Sequence, residues 1–174
     1  MSTANVPFSA SASDEEAIAL IRSAIESART GDAVALLGLL DRGVPTDVCN
    51  EKGDSLLMLA SYHGHAGATR LLLDRGADPE LRNGRGQSPL DGAAFKGDVR
   101  IAALLLDHGA QVDGAGPDGK APLMFAAMFD RVEIVELLLT RGASATRRDA
   151  GGVTPLALAQ GMGAHRAAAR LSEE

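Results

Sequence analysis

The sequence predicts an all-α solenoid, a stack of helix-turn-helix units joined by short hairpin loops. Three observations predict it. Gly43, Gly76, Gly109 and Gly142 recur every 33 residues, each closing a leucine-rich run: Leu39-Leu40, Leu71-Leu72-Leu73, Leu104-Leu105-Leu106 and Leu137-Leu138-Leu139. Gly53, Gly86, Gly119 and Gly152 form a second series with the same period. Just beyond these lies a third: Ser55-Leu56-Leu57, Ser88-Pro89-Leu90, Ala121-Pro122-Leu123 and Thr154-Pro155-Leu156. Three series in phase mark an internal repeat, and a unit that cannot bury its apolar face alone must stack on its neighbours.

Composition bounds the class. The 174 residues are 45% hydrophobic and 23% charged, enough apolar surface to offset the entropy of ordering the chain. Aromatics are only 3%, without tryptophan, which argues against a β-sandwich core or a base-stacking platform. A net charge of −6 leaves no basic excess to displace counterions, so no nucleic-acid partner is expected. The single cysteine, Cys49, excludes an internal disulfide and a thiolate zinc site and points to a reducing, cytoplasmic setting. No stretch approaches the roughly 20 apolar residues of a membrane span.

The elements follow in order. Residues 1–12 are small and polar, without the charged start and apolar run of a signal peptide, and read as a disordered N-terminal arm. Ser13-Asp14-Glu15-Glu16 has the capping-box pattern, opening a helix to about Arg29, and a second helix follows Gly31 up to Asp41. Residues 13–49 thus form an N-terminal capping repeat lacking a hairpin. Full repeats cover 50–82, 83–115 and 116–148, and 149–174 is a shortened C-terminal capping repeat. Ser88 and Thr154 are hydroxyl N-caps with proline at the first helical position. The glycines after the leucine runs close a second helix in the left-handed conformation. Asn83-Gly84-Arg85-Gly86 is a tight turn.

Core rows share the register: Leu57, Leu90, Leu123, Leu156; Ala60, Ala93, Ala126, Ala159; Leu72, Leu105, Leu138, Leu171. Two breaks stand out. Gly92 and Phe125 align with Leu59 and Leu158, so the Phe125 ring is expected to fill space above Gly92. Asp130 stands where Gly31, Gly64, Gly97 and Gly163 stand, so a strained left-handed turn is expected rather than a lost one.

Gly152-Val153-Thr154-Pro155-Leu156, Gly64-His65 and Leu72-Leu73-Asp74-Arg75-Gly76-Ala77-Asp78 resemble the ankyrin repeat family, and the likeness runs over roughly residues 17–171. Met58, Asp91, Met124 and Ala157 occupy the family's histidine place, so the hydrogen bonds of that histidine do not carry over.

The period also aligns Tyr62, Phe95, Met128 and Gly161, and beside them His63, Lys96, Phe129 and Met162, at the ends of the first helices. The resemblance implies that these positions and the hairpin tips face a concave groove that contacts partners. Exposed apolar stripes mark interaction sites, and aromatic anchors carry disproportionate binding energy. Around the stripe Glu51, Lys52, Asp54, Arg85, Gln87, Asp118 and Lys120 form a mixed-charge rim suited to specificity. The expected function is non-enzymatic: a monomer binding a protein partner as adaptor, inhibitor or regulatory subunit, with no cofactor and no metal. One rival is a metal-dependent enzyme centred on His63, His65 and Asp91. Against it, His65 belongs to the family's Gly-His turn, and no nearby Cys or repeated carboxylate supplies a convincing third ligand. The other rival is a structural or chaperone-like stabiliser. Cys49 has no evident base beside it and reads as a loop thiol, and His108 as a surface residue at a helix C-terminus.

Overall fold

The computed structural model describes residues 14–174; the expected arm and Ser13 lie outside the described residues. The chain divides into two compact units, one ending at Asp78 and one running from Pro79 to Glu174.

The first unit holds α1 (Asp14–Thr30), α2 (Ala33–Asp41), α3 (Leu56–Tyr62) and α4 (Ala66–Asp74). The second holds α5 (Pro89–Lys96), α6 (Val99–Asp107), α7 (Pro122–Met128), α8 (Val132–Thr140), α9 (Pro155–Met162) and α10 (His165–Leu171). In each unit consecutive helices pair antiparallel and equivalent helices stack, α1 on α3 in the first and α5 on α7 on α9 in the second. In each unit the described residues form an all-α stack of helix pairs without named strands. The first hairpin is closed by one antiparallel bridge, Cys49 to Ser55.

Local chemistry explains the helix starts. Ser55, Ser88 and Thr154 accept from the amides of Met58, Asp91 and Ala157 at 3.0, 3.2 and 3.2 Å, satisfying one of the unpaired donors of each first turn. Ala121 has no hydroxyl and makes no such bond; the Met124 amide turns instead to the Ala121 carbonyl at 2.9 Å. Three of the hairpins begin on a side chain that organises them, whereas the one starting at Gly116 relies on Asp118, whose Oδ1 accepts from the Lys120 amide. Asn50 Oδ1 accepts from the amides of Lys52 and Asp54, Asn83 Oδ1 from Arg85 and Gln87, and Asp149 Oδ1 from Gly151 and Val153, the Asx geometry that substitutes for a backbone turn.

Within each unit the stack is laced by lateral bonds in register. Asp47 accepts from the Asp78 amide, Glu80 from the Gln111 amide and Asp113 from the Ser144 amide, at 2.9–3.2 Å. Arg75 pairs with Asp41 and Arg141 with Asp107, both at 2.8 Å. These exposed pairs fix register more than they stabilise.

The core rows are buried as expected with one correction: Leu156 is only half-buried. Its helix α9 packs on α7 from one side, so the last member of that row is covered once where Leu90 and Leu123 are fully enclosed. Phe125 is half-buried on α7, which packs on the helix that buries Gly92.

Asp130 has φ 55°, the one positive value outside glycine among the described residues. Its neighbours explain why glycine is dispensable there. A Cβ at Gly31 would stand 2.5 Å from the His65 ring, and one at Gly97 2.8 Å from Arg131 Cδ. The matching residue beside Asp130 is Ala164, too short to collide. Asp130 uses the opening: its Oδ1 accepts from the Ala167 amide at 2.7 Å, capping α10, whose own N-cap Ala164 has no side chain to offer.

Candidate partner-binding face

In the second unit α5 ends on Phe95-Lys96 and α7 ends on Met128, with Phe129 as its C-cap. Stacking the helices brings Phe95 and Phe129 together, ring centroids 4.6 Å apart at 75°. An edge-to-face pair of this kind contributes about 0.5–1.5 kcal/mol beyond its buried area. Arg131, the N-cap of α8, donates from Nε to the Phe95 carbonyl at 3.0 Å, so the end of α5 is tied down by the next helix pair. Phe95, Phe129 and Met128 are half-buried and Met162, at the end of α9, is 55% exposed. The rings are therefore held in place with part of their surface open, neither loose nor sunk in the core.

Lys96 is exposed beside Phe95, and Arg85 is exposed on its hairpin. Lys120 is committed to its own hairpin and the next, with Nζ 3.0 Å from Asp118 and 3.9 Å from Asp149. Burial alone raises the Asp118 pKa, but hydrogen bonds from the Lys120 amide and ammonium outweigh it and hold the carboxyl below its ordinary value.

Tyr62, His63 and Lys52 belong to the first unit. Tyr62 ends α3, 37% exposed, with its ring edge-on to His63 at 5.7 Å. Lys52 is exposed on the first hairpin.

The histidine and aspartate candidates have structural duties. His63 and His65 stack at 6.2 Å, and His65 Nε2 lies 3.0 Å from the Arg29 carbonyl, the position that Arg131 serves for Phe95. His108 Nδ1 meets the Leu104 carbonyl at 2.8 Å at the end of α6. Asp91 lies in the second unit and is 1% exposed. Its Oδ2 accepts from the Ser88 amide at 2.8 Å and from Arg82 at 3.0 Å. Burial pushes its pKa up to about 6 against the pull of those bonds, and Oδ1 has no partner. Among the described residues no three His, Cys, Asp or Glu side chains are grouped to hold a metal ion. Nor is any helix among them long and apolar enough to cross a membrane.

The sequence reading did not single out a groove in the first unit. Its 430 Å³ is lined by Ile18, Ile21, Arg22 and Ile25 of α1 and by Cys49, Asn50, Glu51 and Lys52. The available signal was the apolar spacing of those isoleucines, ahead of where register would start the helix.

Fold and surface together define a repeat scaffold, a molecule built of stacked helix pairs that present loop tips and helix ends. Ankyrin repeats in three copies match residues 21–114, and a second ankyrin repeat profile matches residues 93–139. The chain belongs to the ankyrin repeat family. A Pseudomonas aeruginosa protein named for its ankyrin repeats is 52% identical over 58 residues, 33% of this chain and 34% of the relative. The match thus spans about a third of that relative's length.

Proposed function

We propose that the chain is a non-catalytic, monomeric, cytoplasmic binding protein that holds a protein partner against the face carrying Phe95 and Phe129. Ankyrin repeats are generally protein–protein interaction modules. The observation that carries the reading is the paired rings, fixed through Arg131 and part-exposed, since pre-positioned aromatics contribute contact area at little entropic cost. Met128 and Met162 extend the same apolar surface, and in the first unit Tyr62 with His63 offers a smaller one.

Charge supports it. The only lysines of the chain, Lys52, Lys96 and Lys120, sit at hairpin tips and a first-helix end, whereas Arg75, Arg141, Arg166 and Arg170 pair with carboxylates of neighbouring second helices. Arg85, Lys96 and Lys52 then set orientation and encounter rate for a partner.

The test is affinity capture from the native host with wild type and with the double variant Phe95→Ala, Phe129→Ala. Retained helicity with loss of a discrete partner supports the proposal. Undiminished capture removes this face from consideration, and the absence of any discrete partner favours a stabiliser role.

A further inference from the structure

The charges of the second unit are divided by side. Its hairpins, its first helices and the turns that end them carry the carboxylates Asp91, Asp98, Asp118, Asp130 and Asp149. Each accepts from a backbone amide of the fold: Ser88, Ile101, Lys120, Ala167 and, for Asp149, both Gly151 and Val153. The cations of the same side are not all engaged in this way. Arg82 pairs with Asp91, Lys120 with Asp118, and Arg131 donates to the Phe95 carbonyl. Arg85, Lys96 and Arg148 are exposed, and among the described residues neither Arg85 nor Arg148 meets a carboxylate, Arg148 donating to the Gly152 carbonyl at 2.7 Å. The second helices are balanced differently. There Asp107, Glu133 and Glu136 each meet an arginine, Arg141, Arg166 and Arg170. In a chain of net charge −6, the side of this unit that carries Phe95 and Phe129 therefore presents positive charge.

We propose that the partner segment held on this face is acidic: an extended peptide that lays an apolar side chain against the Phe95 and Phe129 rings, with one carboxylate at Lys96 and a second at Arg85. The inference rests on the reading of that face as the binding surface and names the chemistry it selects. Lys96 follows Phe95 directly in the chain, so the first carboxylate falls beside the apolar anchor. The second lies further along α5. That helix has eight residues, about 12 Å at 1.5 Å each, which sets Lys96 apart from the Arg85 hairpin by roughly four residues of extended peptide at about 3.3 Å each. Arg85, Lys96 and Arg148 stand on separate elements, which suits single carboxylates rather than one phosphate, whose charge is best met by converging cations. Met128 and Met162 extend the apolar surface, and flexible thioether chains adapt to the side chain that docks. A positive face also speeds encounter with an acidic segment and rejects a basic one.

The test is selection from a phage-displayed library of random peptides on the whole chain, repeated on the double variants Phe95→Ala, Phe129→Ala and Arg85→Glu, Lys96→Glu, with helicity by circular dichroism as the control. Peptides retained by the wild type should carry Asp or Glu near an aliphatic or aromatic residue. They should bind the charge-reversed variant about tenfold more weakly or worse and keep their affinity for Arg100→Glu, which alters an exposed cation of α6 by the same charge. Their affinity should also fall as salt rises from about 0.01 to about 0.15 M and the screening length shortens from about 30 to about 8 Å. Neutral or basic peptides that still need Phe95 and Phe129 overturn the acidic partner and leave the face standing. Equal affinity for the charge-reversed variant overturns it in the same way. Acidic peptides that bind the Phe95→Ala, Phe129→Ala chain undiminished overturn the face itself. Retention of no peptide overturns the short acidic ligand, and capture from the host then decides the face alone.

Discussion

Asp130 keeps its left-handed backbone because the residue stacked beside it is alanine, whereas a Cβ at Gly31 or Gly97 would meet His65 or Arg131. The comparison yields a graded prediction. Gly97→Ala should cost more than the roughly 1–2 kcal/mol of a Cβ in the left-handed region, because its Cβ also meets Arg131 Cδ at 2.8 Å. Gly163→Ala, in the same row with nothing within 4 Å, should carry the backbone cost alone. Thermal denaturation of the two variants decides; equal losses would contradict the stacking explanation. Asp91 gives a pH prediction. Its folded pKa, raised from 3.8 to about 6, means that the native state holds a proton the unfolded chain has released, so its contribution to stability falls as pH rises from about 4 to about 6. Asp91→Asn removes that dependence. The variant should therefore gain melting temperature relative to wild type on moving from pH 3.5 to pH 7, and a relative loss would show that Ser88 and Arg82 outweigh the burial.

At the scale of the element, caps decide how well each helix begins. Ala121 is the gap in a row where Ser55, Ser88 and Thr154 each bond an amide. Ala121→Ser should stabilise by about 0.5–1 kcal/mol, the lower part of the usual N-cap range because the Met124 amide already has the Ala121 carbonyl. A fall in melting temperature would mean that this buried position has no room for the hydroxyl. By contrast Leu105→Ala, at a fully buried site, should cost roughly 2–5 kcal/mol and loosen the helices on either side. Helix positions, the uncapped start at Ala121 and the strained Asp130 were legible in the sequence, since each is a departure from a strict period. The lateral bonds were not. Asp47, Glu80 and Asp113 also recur every 33 residues, but nothing in a charged loop residue distinguishes a carboxylate aimed at the next amide from one aimed at water. Asp130 capping α10 is invisible for the same reason, because donor and acceptor come from different helix pairs. Leu156 was misplaced because the pattern records which residue belongs to a row, not whether both of its sides are covered.

For the whole molecule, the repeat does two things with one register: it hides leucine and alanine rows in each unit and, in the second, brings the ends of α5 and α7 together. The sequence reading named Phe95 and Phe129, and the structure joins them as a ring pair. Their fastening by Arg131 was not legible, nor was the pairing of Lys120 with carboxylates of its own and the next hairpin. The most direct measurement is hydrogen–deuterium exchange of the chain alone and with its captured partner. Protection should fall on the ends of α5 and α7, around Phe95 to Gly97 and Met128 to Asp130, with α6 and α8 unchanged. Protection confined to α6 and α8 would contradict the account.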